Sequence, residues 1–241
     1  MVNVLVSLSW LVFCAVGCAV DKQTAPMGGM SSQREQMVRE QLQGRDITDG
    51  RVLDAMRHVP RQAFVPEQLQ RQAYADHPLP IGEGQTISQP YIVALMTQLV
   101  SPQSTDKVLE VGTGSGYQAA VLAELAQQVY TIEILPDLGE RARQTLASLG
   151  YKNIEIRIGD GYLGWPDAAP FDCIVVTAAP SQVPPRLLEQ LAEGGRLVIP
   201  VDNEYGYQTL TLITRRGEAF EETAVSGCAF VPLVDSAGRK H

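Results

Sequence analysis

Short apolar runs alternate with amphipathic stretches along the second half of the chain. Five runs have the length and β-branched content of buried strands: residues 107–111, 129–133, 154–158, 171–177 and 196–201. The stretches at 117–127 and 137–149 carry apolar side chains at helical spacing. This alternation predicts an α/β fold, doubly wound, with a mostly parallel sheet and helices on both faces.

The two ends of this region add to the pattern. Residues 207–214 and 223–231 flank a glycine turn at Arg216-Gly217 and predict C-terminal antiparallel strands. Residues 33–105 instead have apolar side chains every three or four positions, and five prolines between positions 60 and 90 keep any helices there short. We therefore expect an N-terminal helical extension, followed over residues 106–235 by the α/β domain.

Residues 1–20 contain no charged side chain, and 16 of them are hydrophobic. This is about the length of a signal-peptide core or a short membrane span. Ala15-Val16-Gly17-Cys18 loosely resembles a bacterial lipoprotein processing box, although no Lys or Arg precedes the apolar run. The alternative is a start site placed too far upstream, with Met27 or Met30 as the first residue. Residues 21–32 are polar, contain Gly and Pro, and are expected to form a linker.

Composition excludes several classes of function. A hydrophobic fraction of 45 % and a charged fraction of 19 % are typical of a globular chain. The net charge is −8 and no basic cluster is present, so we expect no binding to nucleic acid. Beyond the leader, Cys173 and Cys228 are the only cysteines, and neither they nor the three histidines have metal-ligand spacing. We therefore expect no metal site, and a buried structural thiol at Cys173.

The first predicted strand of the α/β region runs into Gly112-Thr113-Gly114-Ser115-Gly116. Glycines let a backbone turn tightly and approach a ligand, and doubly wound sheets bind ligands beyond the carboxyl ends of their strands. The dinucleotide fingerprint is Gly-x-Gly-x-x-Gly, but Tyr117 stands where its third glycine belongs. The pattern favours a ligand other than a dinucleotide; the alternative is a turn that binds nothing.

Acidic residues end the next two predicted strands. Glu133 ends the second, where a carboxylate can accept hydrogen bonds from both ribose hydroxyls. Asp160 follows the third, where it can accept from an adenine amino group. A glycine turn and two acids at successive strand ends describe an adenosine pocket without a pyrophosphate site, which fits S-adenosylmethionine. The alternative is that both acids are surface carboxylates.

Five motifs resemble, in order, those of class I S-adenosylmethionine-dependent methyltransferases, whose fold is Rossmann-like: LEVGTGSGYQ at 109–118, YTIEI at 130–134, GDG at 159–161, FDCIVVTAA at 171–179 and LAEGGRLVIPV at 191–201. Two more, LPIGEGQTISQPYIVALM at 79–96 and FVPLV at 230–234, are similar to protein-L-isoaspartate O-methyltransferases in particular. The resemblance implies methyl transfer to the free α-carboxylate of L-isoaspartyl residues in damaged proteins and peptides. The ester then closes to a succinimide, whose hydrolysis regenerates some normal aspartate.

The resemblance also implies the site residues. Ser88 matches the active-site serine of the family, and its hydroxyl is expected to position the substrate carboxylate; the alternative is a helix cap before Pro90. The expected cofactor contacts are Thr86, Ile87, Gly112, Thr113, Gly114, Gly116, Glu133, Ile134, Asp160 and Gly161. The expected peptide contacts besides Ser88 are Val231, Pro232 and Leu233, for which an edge strand covering the core is the alternative.

The implied chemistry needs no general base, because a carboxylate with a pKa of about 3.5 is already ionised at neutral pH. This agrees with the lack of a convincing Ser/His or His/Asp pair in the sequence. The enzyme must instead hold a carboxylate oxygen in line with the methyl group, in a site shielded from water. Glu110 is expected to organise the glycine turn by accepting hydrogen bonds from backbone amides.

Two other functions stay open: an O-methyltransferase for a small-molecule acceptor, and a non-catalytic protein that binds the cofactor. Methylation of base amino groups is disfavoured, because Thr177-Ala178-Ala179-Pro180 stands where such enzymes have an Asn/Asp-Pro-Pro-aromatic motif. The resemblance implies a cytoplasmic enzyme, and we expect a monomer. A periplasmic or membrane-anchored location is the alternative if residues 1–20 are a genuine leader, retained or lipidated at Cys18.

Overall fold

The structure is a computed structural model, and it describes residues 27–203 and 206–241. The predicted leader and Cys18 lie outside the described residues. The helices and strands are, in chain order, α1 (Met27–Met37), α2 (Gly50–His58), β1 (Leu79–Gly82), β2 (Gln85–Ile87), α3 (Pro90–Val100), β3 (Lys107–Val111), α4 (Tyr117–Ala123), β4 (Gln128–Glu133), α5 (Pro136–Ser148), β5 (Ile154–Ile158), β6 (Phe171–Val176), α6 (Pro185–Glu189), β7 (Leu191–Asp202), β8 (Gln208–Arg216) and β9 (Ala219–Cys228). Short helical turns are Val38–Gln43, Arg61–Phe64, Glu67–Gln72, Gly161–Leu163 and Pro166–Ala168.

Seven strands form one sheet in the order β5-β4-β3-β6-β7-β8-β9. Strands β3 to β7 pair in parallel, and β8 and β9 continue the sheet antiparallel. The chain moves outward from β3 to β5 and then returns to place β6 on the other side of β3. This reversal is the switch point of a doubly wound sheet. The predicted fold class, including its C-terminal antiparallel strands, is confirmed.

Alternate residues of the central strands pack into two hydrophobic cores, one on each face of the sheet. On β3, Val108 belongs to the core under the N-terminal helices and Leu109 to the opposite core. Cys173 and Ile174 divide in the same way on β6. The prediction of a buried thiol is confirmed, because Cys173 is fully buried with its Sγ 3.2 Å from the carbonyl oxygen of Val100. Burial raises the pKa of this thiol to about 12.

The linker prediction is wrong at its C-terminal end. Helix α1 begins at Met27, so residues 27–32 of the predicted linker 21–32 are helical. The Met30 side chain packs against the core under the N-terminal helices, and this contact stabilises a turn whose Gly and Ser content predicts a loop. Residues 21–26 lie outside the described residues.

The helical reading of the segment before α3 is also wrong, because β1 and β2 form an antiparallel hairpin there. Leu79, Ile81 and Ile87 turn into the core and hold the hairpin against it. Gly82, Glu83 and Gly84 have φ values of +92°, +54° and +70°. A right-handed helix cannot contain these three residues in succession.

Two boundaries differ from the predicted ones near the sheet. Strand β7 starts at Leu191, five residues before the predicted strand 196–201, because Leu191 pairs with Phe171 across a register shift. Helix α4 ends at Ala123, earlier than the predicted stretch 117–127. Within the described residues, no helix is both long and apolar enough to cross a membrane.

Candidate active site

A cavity that is open to solvent on one side lies beyond the carboxyl ends of β3, β4 and β6. This is the switch point at which doubly wound sheets bind ligands. Most of the predicted site residues line this one cavity: Thr86, Ile87, Ser88, Gly112, Thr113, Gly114, Glu133, Ile134, Gly161, Val231, Pro232 and Leu233. The fold therefore brings together segments that lie almost 150 positions apart in the sequence.

The conformation of the glycine turn requires residues without a side chain. Gly112 has a φ of +99° and Gly114 a φ of +55°. A Cβ atom added to Gly112 would lie 2.4 Å from Oγ1 of Thr177. That hydroxyl donates a hydrogen bond to the carbonyl oxygen of Gly112, over 2.6 Å, and so ties the turn to the end of β6. Because glycine has no Cβ atom, a ligand in the cavity can approach the backbone of this turn closely.

Glu133, at the end of β4, is held in place by two backbone amides. One carboxylate oxygen accepts from the N–H of Gly114 over 2.8 Å, and the other from the N–H of Leu135 over 3.0 Å. The side chain is 5 % exposed and lines the cavity. Each oxygen has two lone pairs, so each retains one for a further donor. The carboxylate is thus oriented before any ligand binds and still has room for two hydroxyl donors.

Two predicted cofactor residues do not line the cavity. Gly116 has a φ of +89°, and a Cβ atom there would lie 3.1 Å from the Leu146 side chain, so this glycine allows α5 to pack closely. The carboxylate of Asp160 accepts hydrogen bonds from the N–H groups of Tyr162 (2.9 Å) and Ser236 (3.1 Å). Asp160 thus caps the short helical turn that follows it and fastens the C-terminal segment to this loop, whereas its neighbour Gly161 lines the cavity.

Ser88 lies in the connection between the β1–β2 hairpin and α3, on the cavity wall. The N-cap of α3 is Gln89, followed by Pro90, and no side chain caps this helix. The reading of Ser88 as a helix cap is therefore wrong. Within the described residues its hydroxyl makes no hydrogen bond, while its carbonyl oxygen accepts one from the Arg61 guanidinium over 2.7 Å.

Residues 231–233 run beside the end of β6. The N–H of Ala179 donates to the carbonyl oxygen of Val231 over 2.8 Å, and the N–H of Leu233 donates to the carbonyl oxygen of Ala179 over 2.9 Å. The segment thus forms an isolated bridge with the residues after β6, without becoming an edge strand of the sheet, and it lines the cavity at the same time. This pairing leaves the predicted contact with a peptide possible.

Glu110 is fully buried at the end of β3, next to the cavity. Burial raises the pKa of its carboxyl to about 8. A 2.5 Å hydrogen bond from the Thr131 hydroxyl and a further one from the backbone N–H of Ala119 act in the opposite direction and lower the pKa. Thr131 in turn shares a 2.7 Å hydrogen bond with the Thr113 hydroxyl. The expected bonds from Glu110 to the amides of the glycine turn are absent among the described residues, so Glu110 reaches the turn only through Thr131 and Thr113.

The charge of the cavity wall is one-sided. Glu110 and Glu133 line it, but the raised pKa of Glu110 leaves that group mostly uncharged at neutral pH, so the Glu133 carboxylate is the charged one; within the described residues no Lys or Arg lines the cavity. Sites for nucleotide phosphates supply cationic or backbone donors for several oxygens. This wall instead suits a nucleoside that carries positive charge.

Two residues near the site were missed by the sequence reasoning. Thr177 is the last residue of a predicted strand at the switch point, and that position was a usable signal. Arg61 lies among prolines in a segment without periodicity, and no local signal marks it. Its side chain is nevertheless fully buried and bonded to Ser88.

The doubly wound sheet, the cavity at its switch point and Glu133 beside the glycine turn are features of one class: the Rossmann-like S-adenosylmethionine-dependent methyltransferases. Residues 32–238 match the family described as protein-L-isoaspartate(D-aspartate) O-methyltransferase. The chain belongs to this family, as the resemblance predicted.

Relatives and solved structures agree with this membership. Protein-L-isoaspartate O-methyltransferase 2 of Shewanella sediminis is 58 % identical over 204 residues, which cover 85 % of this chain and 84 % of that protein. Protein-L-isoaspartate O-methyltransferase 1 of Syntrophobacter fumaroxidans is 58 % identical over 205 residues, covering 85 % and 95 %. A solved protein-L-isoaspartate O-methyltransferase has a TM-score of 0.78 at 28 % identity, covering 85 % of this chain and 67 % of that one. A Plasmodium falciparum structure described with the same activity, in complex with S-adenosyl-L-homocysteine, has a TM-score of 0.72 at 26 % identity, covering 85 % and 97 %.

Proposed function

We propose that this chain transfers the methyl group of S-adenosylmethionine to the free α-carboxylate of L-isoaspartyl residues in damaged proteins and peptides. The ester that forms closes to a succinimide and begins repair. The observation that carries the proposal is the single cavity shared by Ser88, the glycine turn and Glu133. Membership of the family over residues 32–238 supports the same reaction.

The residues present fit the cofactor. The glycine turn has no Cβ atom on its tight side, and Glu133 keeps acceptor capacity for two ribose hydroxyls. The Glu133 carboxylate, on a wall without Lys or Arg among the described residues, favours a ligand whose sulfur and amino group are positively charged. When bound, S-adenosylmethionine supplies a methyl group on that charged sulfur. Thr86, Ile87, Thr113, Ile134 and Gly161 complete the proposed contacts, while Gly116 and Asp160 act indirectly by shaping the neighbouring loops.

Ser88 has the role of orienting the substrate. Its hydroxyl is without a partner among the described residues, so it can donate a hydrogen bond to one oxygen of the isoaspartyl carboxylate. The other oxygen is then held toward the methyl group. Orientation of this kind contributes up to about 7–11 kcal/mol in the best intramolecular cases. The apolar side chains of Val111 and Leu233 exclude water from the same space, which strengthens the attraction between opposite charges.

The substrate is a peptide segment, and we assign its contact to Val231, Pro232 and Leu233. These residues line the same cavity as Ser88. Their backbone already pairs with Ala179 on one side, which fixes the position of this wall. Isoaspartyl proteins and peptides are the proposed partners.

A matched peptide pair tests the function. The protein is incubated with methyl-labelled cofactor and two peptides that differ only in an isoaspartyl or a normal aspartyl linkage. We expect label only in the isoaspartyl peptide, and a loss of roughly a hundredfold in turnover for Ser88→Ala with unchanged cofactor affinity by calorimetry. Equal labelling of both peptides contradicts the proposal. Labelling of small carboxylic acids alone points to the small-molecule alternative, and an absence of cofactor binding points to a non-enzyme.

We also propose a cytoplasmic monomer. S-adenosylmethionine is made in the cytosol, which supports the proposed compartment. The mass of the native N-terminus tests the compartment. An N-terminus at Met27 or Met30 supports it, and a lipidated Cys18 contradicts it. Light scattering on the purified protein tests the monomer.

A further inference from the structure

Arg61 is a buried guanidinium that joins three segments around the site. Its side chain is the largest of those that are fully buried. Nε donates to the carbonyl oxygen of Ala73 over 2.7 Å, and one terminal nitrogen donates to the carbonyl oxygen of Ser88 over 2.7 Å. The guanidinium carbon lies 4.8 Å from the ring centre of Tyr117, which begins α4 directly after the glycine turn. One side chain thus links the serine segment to the cofactor turn.

The burial of this charge is not explained by stability. Among the described residues no carboxylate lies within ion-pair distance of Arg61, and its other terminal nitrogen has no partner. Burial lowers the pKa of the guanidinium to about 10, so it stays positively charged at neutral pH. A buried cation without a carboxylate partner is unfavourable for folding even when it is hydrogen-bonded, and an apolar side chain of similar size fills such a space at lower cost.

The bond to Ser88 supplies the missing reason. Ser88 precedes Gln89 and Pro90, where the chain is extended and the helical hydrogen bonds of α3 have not begun. Within the described residues, Arg61 is the one donor to the Ser88 carbonyl oxygen. Without it, the Ser88 carbonyl oxygen has no hydrogen bond among the described residues, and nothing else fixes the rotation of this peptide group.

We propose that Arg61 is a positioning residue for methyl transfer: it fixes the backbone of Ser88, and through it the direction of the Ser88 hydroxyl, relative to the glycine turn. The proposal rests on the function and on the role of Ser88 proposed above. Arg61 itself is not in contact with the cavity, so it acts through Ser88 and not on the substrate directly.

A double-mutant cycle tests it in the full chain. Arg61→Lys keeps the charge, but a single ammonium lacks the planar fork that reaches both carbonyl oxygens. We expect kcat for an isoaspartyl peptide to fall roughly ten- to hundredfold, as for a reacting group displaced by about 1 Å. KM and the calorimetric affinity for S-adenosylhomocysteine should change little. In the Ser88→Ala background, Arg61→Lys should cost less than about a further twofold, because the group that it positions is gone.

Arg45→Lys is the matched control. Arg45 also stacks on an aromatic ring, 4.2 Å from the centre of Tyr91, but its ion pair is with Asp76 and it does not contact Ser88. We expect its kcat to equal that of the wild type. All variants are first checked for a cooperative urea transition.

The outcomes separate the hypotheses. A loss for Arg61→Lys of the same factor in both backgrounds overturns the positioning role, and so does unchanged kcat in folded Arg61→Lys. If neither Arg61→Lys nor Arg61→Gln folds, the role is structural and the proposal is likewise overturned. If the wild type does not methylate the isoaspartyl peptide at all, it is the proposed function that fails.

Discussion

Glu110→Gln should make the protein more stable than the wild type at alkaline pH and leave it nearly unchanged at pH 5. The carboxyl is fully buried and its pKa is raised to about 8, chiefly by burial and further by the nearby Glu133. In the unfolded chain the same group titrates near 4.5. The folded state therefore holds a proton that the unfolded state releases between these two values.

The sign and size follow from this difference. The stabilising effect of the neutral Glu110 is fully present below pH 4.5 and is lost as the pH rises toward 8. At 1.36 kcal/mol for each pH unit, the loss amounts to about 5 kcal/mol. Total stabilities of ordinary domains are about 5–15 kcal/mol, so this one group accounts for a large share of the pH dependence. A glutamine is neutral at every pH and can still accept the Thr131 hydrogen bond through its amide oxygen.

Urea unfolding at pH 5, 6.5, 8 and 9 measures the effect without adding ionic denaturant. The free energy of unfolding of wild type minus Glu110→Gln should become more negative by several kcal/mol between pH 5 and 9. Glu155→Gln, an exposed position on β5, is the control and should follow the wild type. Parallel curves for wild type and Glu110→Gln across this range would refute the reasoning, because the buried carboxyl would then not titrate on unfolding.

Three further expectations concern the site and the core. Glu133→Gln should weaken S-adenosylhomocysteine binding by about ten- to a hundredfold in calorimetry, the usual worth of hydrogen bonds to a charged group; an unchanged affinity contradicts the ribose role. Gly112→Ala should cost at least about 1–2 kcal/mol in urea unfolding from its φ of +99°, and more from the contact with Thr177. In the double variant Gly112→Ala/Thr177→Ala, only the loss of unfolding free energy that comes from the contact with Thr177 should be recovered. Recovery of the full loss would show that alanine is not strained by the φ value at position 112. Cys173 should resist thiol reagents in the native protein while the half-buried Cys228 reacts first, which peptide mass mapping measures; early modification of Cys173 contradicts its burial.

The central strands were predictable because a strand that is buried on both faces has a short, almost entirely apolar sequence. Runs such as Val108 to Val111 on β3 and Cys173 to Val176 on β6 contain mostly apolar residues, since no side faces water. The glycine turn was predictable for a related reason: only glycine fits the backbone there without strain. Both signals are local, and local signals can be found in a single sequence.

The parts that escaped prediction depend on distant contacts. The hairpin of β1 and β2 has only a few apolar residues, whose spacing does not separate a strand from a short helix. Arg61 is placed by carbonyl oxygens 12 and 27 positions away, and Asp160 by an amide 76 positions away. Nothing beside Arg61 in the chain indicates that it is buried, and nothing beside Asp160 indicates that its oxygens are occupied.

The segment at Val231 to Leu233 also has a bearing on synthesis. The cavity wall begins with residues near Gln85 and is complete only when this segment pairs with Ala179. On the ribosome, the glycine turn and Ser88 leave the exit tunnel long before that pairing can occur. A nascent chain that has not reached residue 234 therefore lacks the wall that Val231, Pro232 and Leu233 give to the cavity. We expect a chain truncated before this segment to bind a peptide substrate more weakly than the full chain.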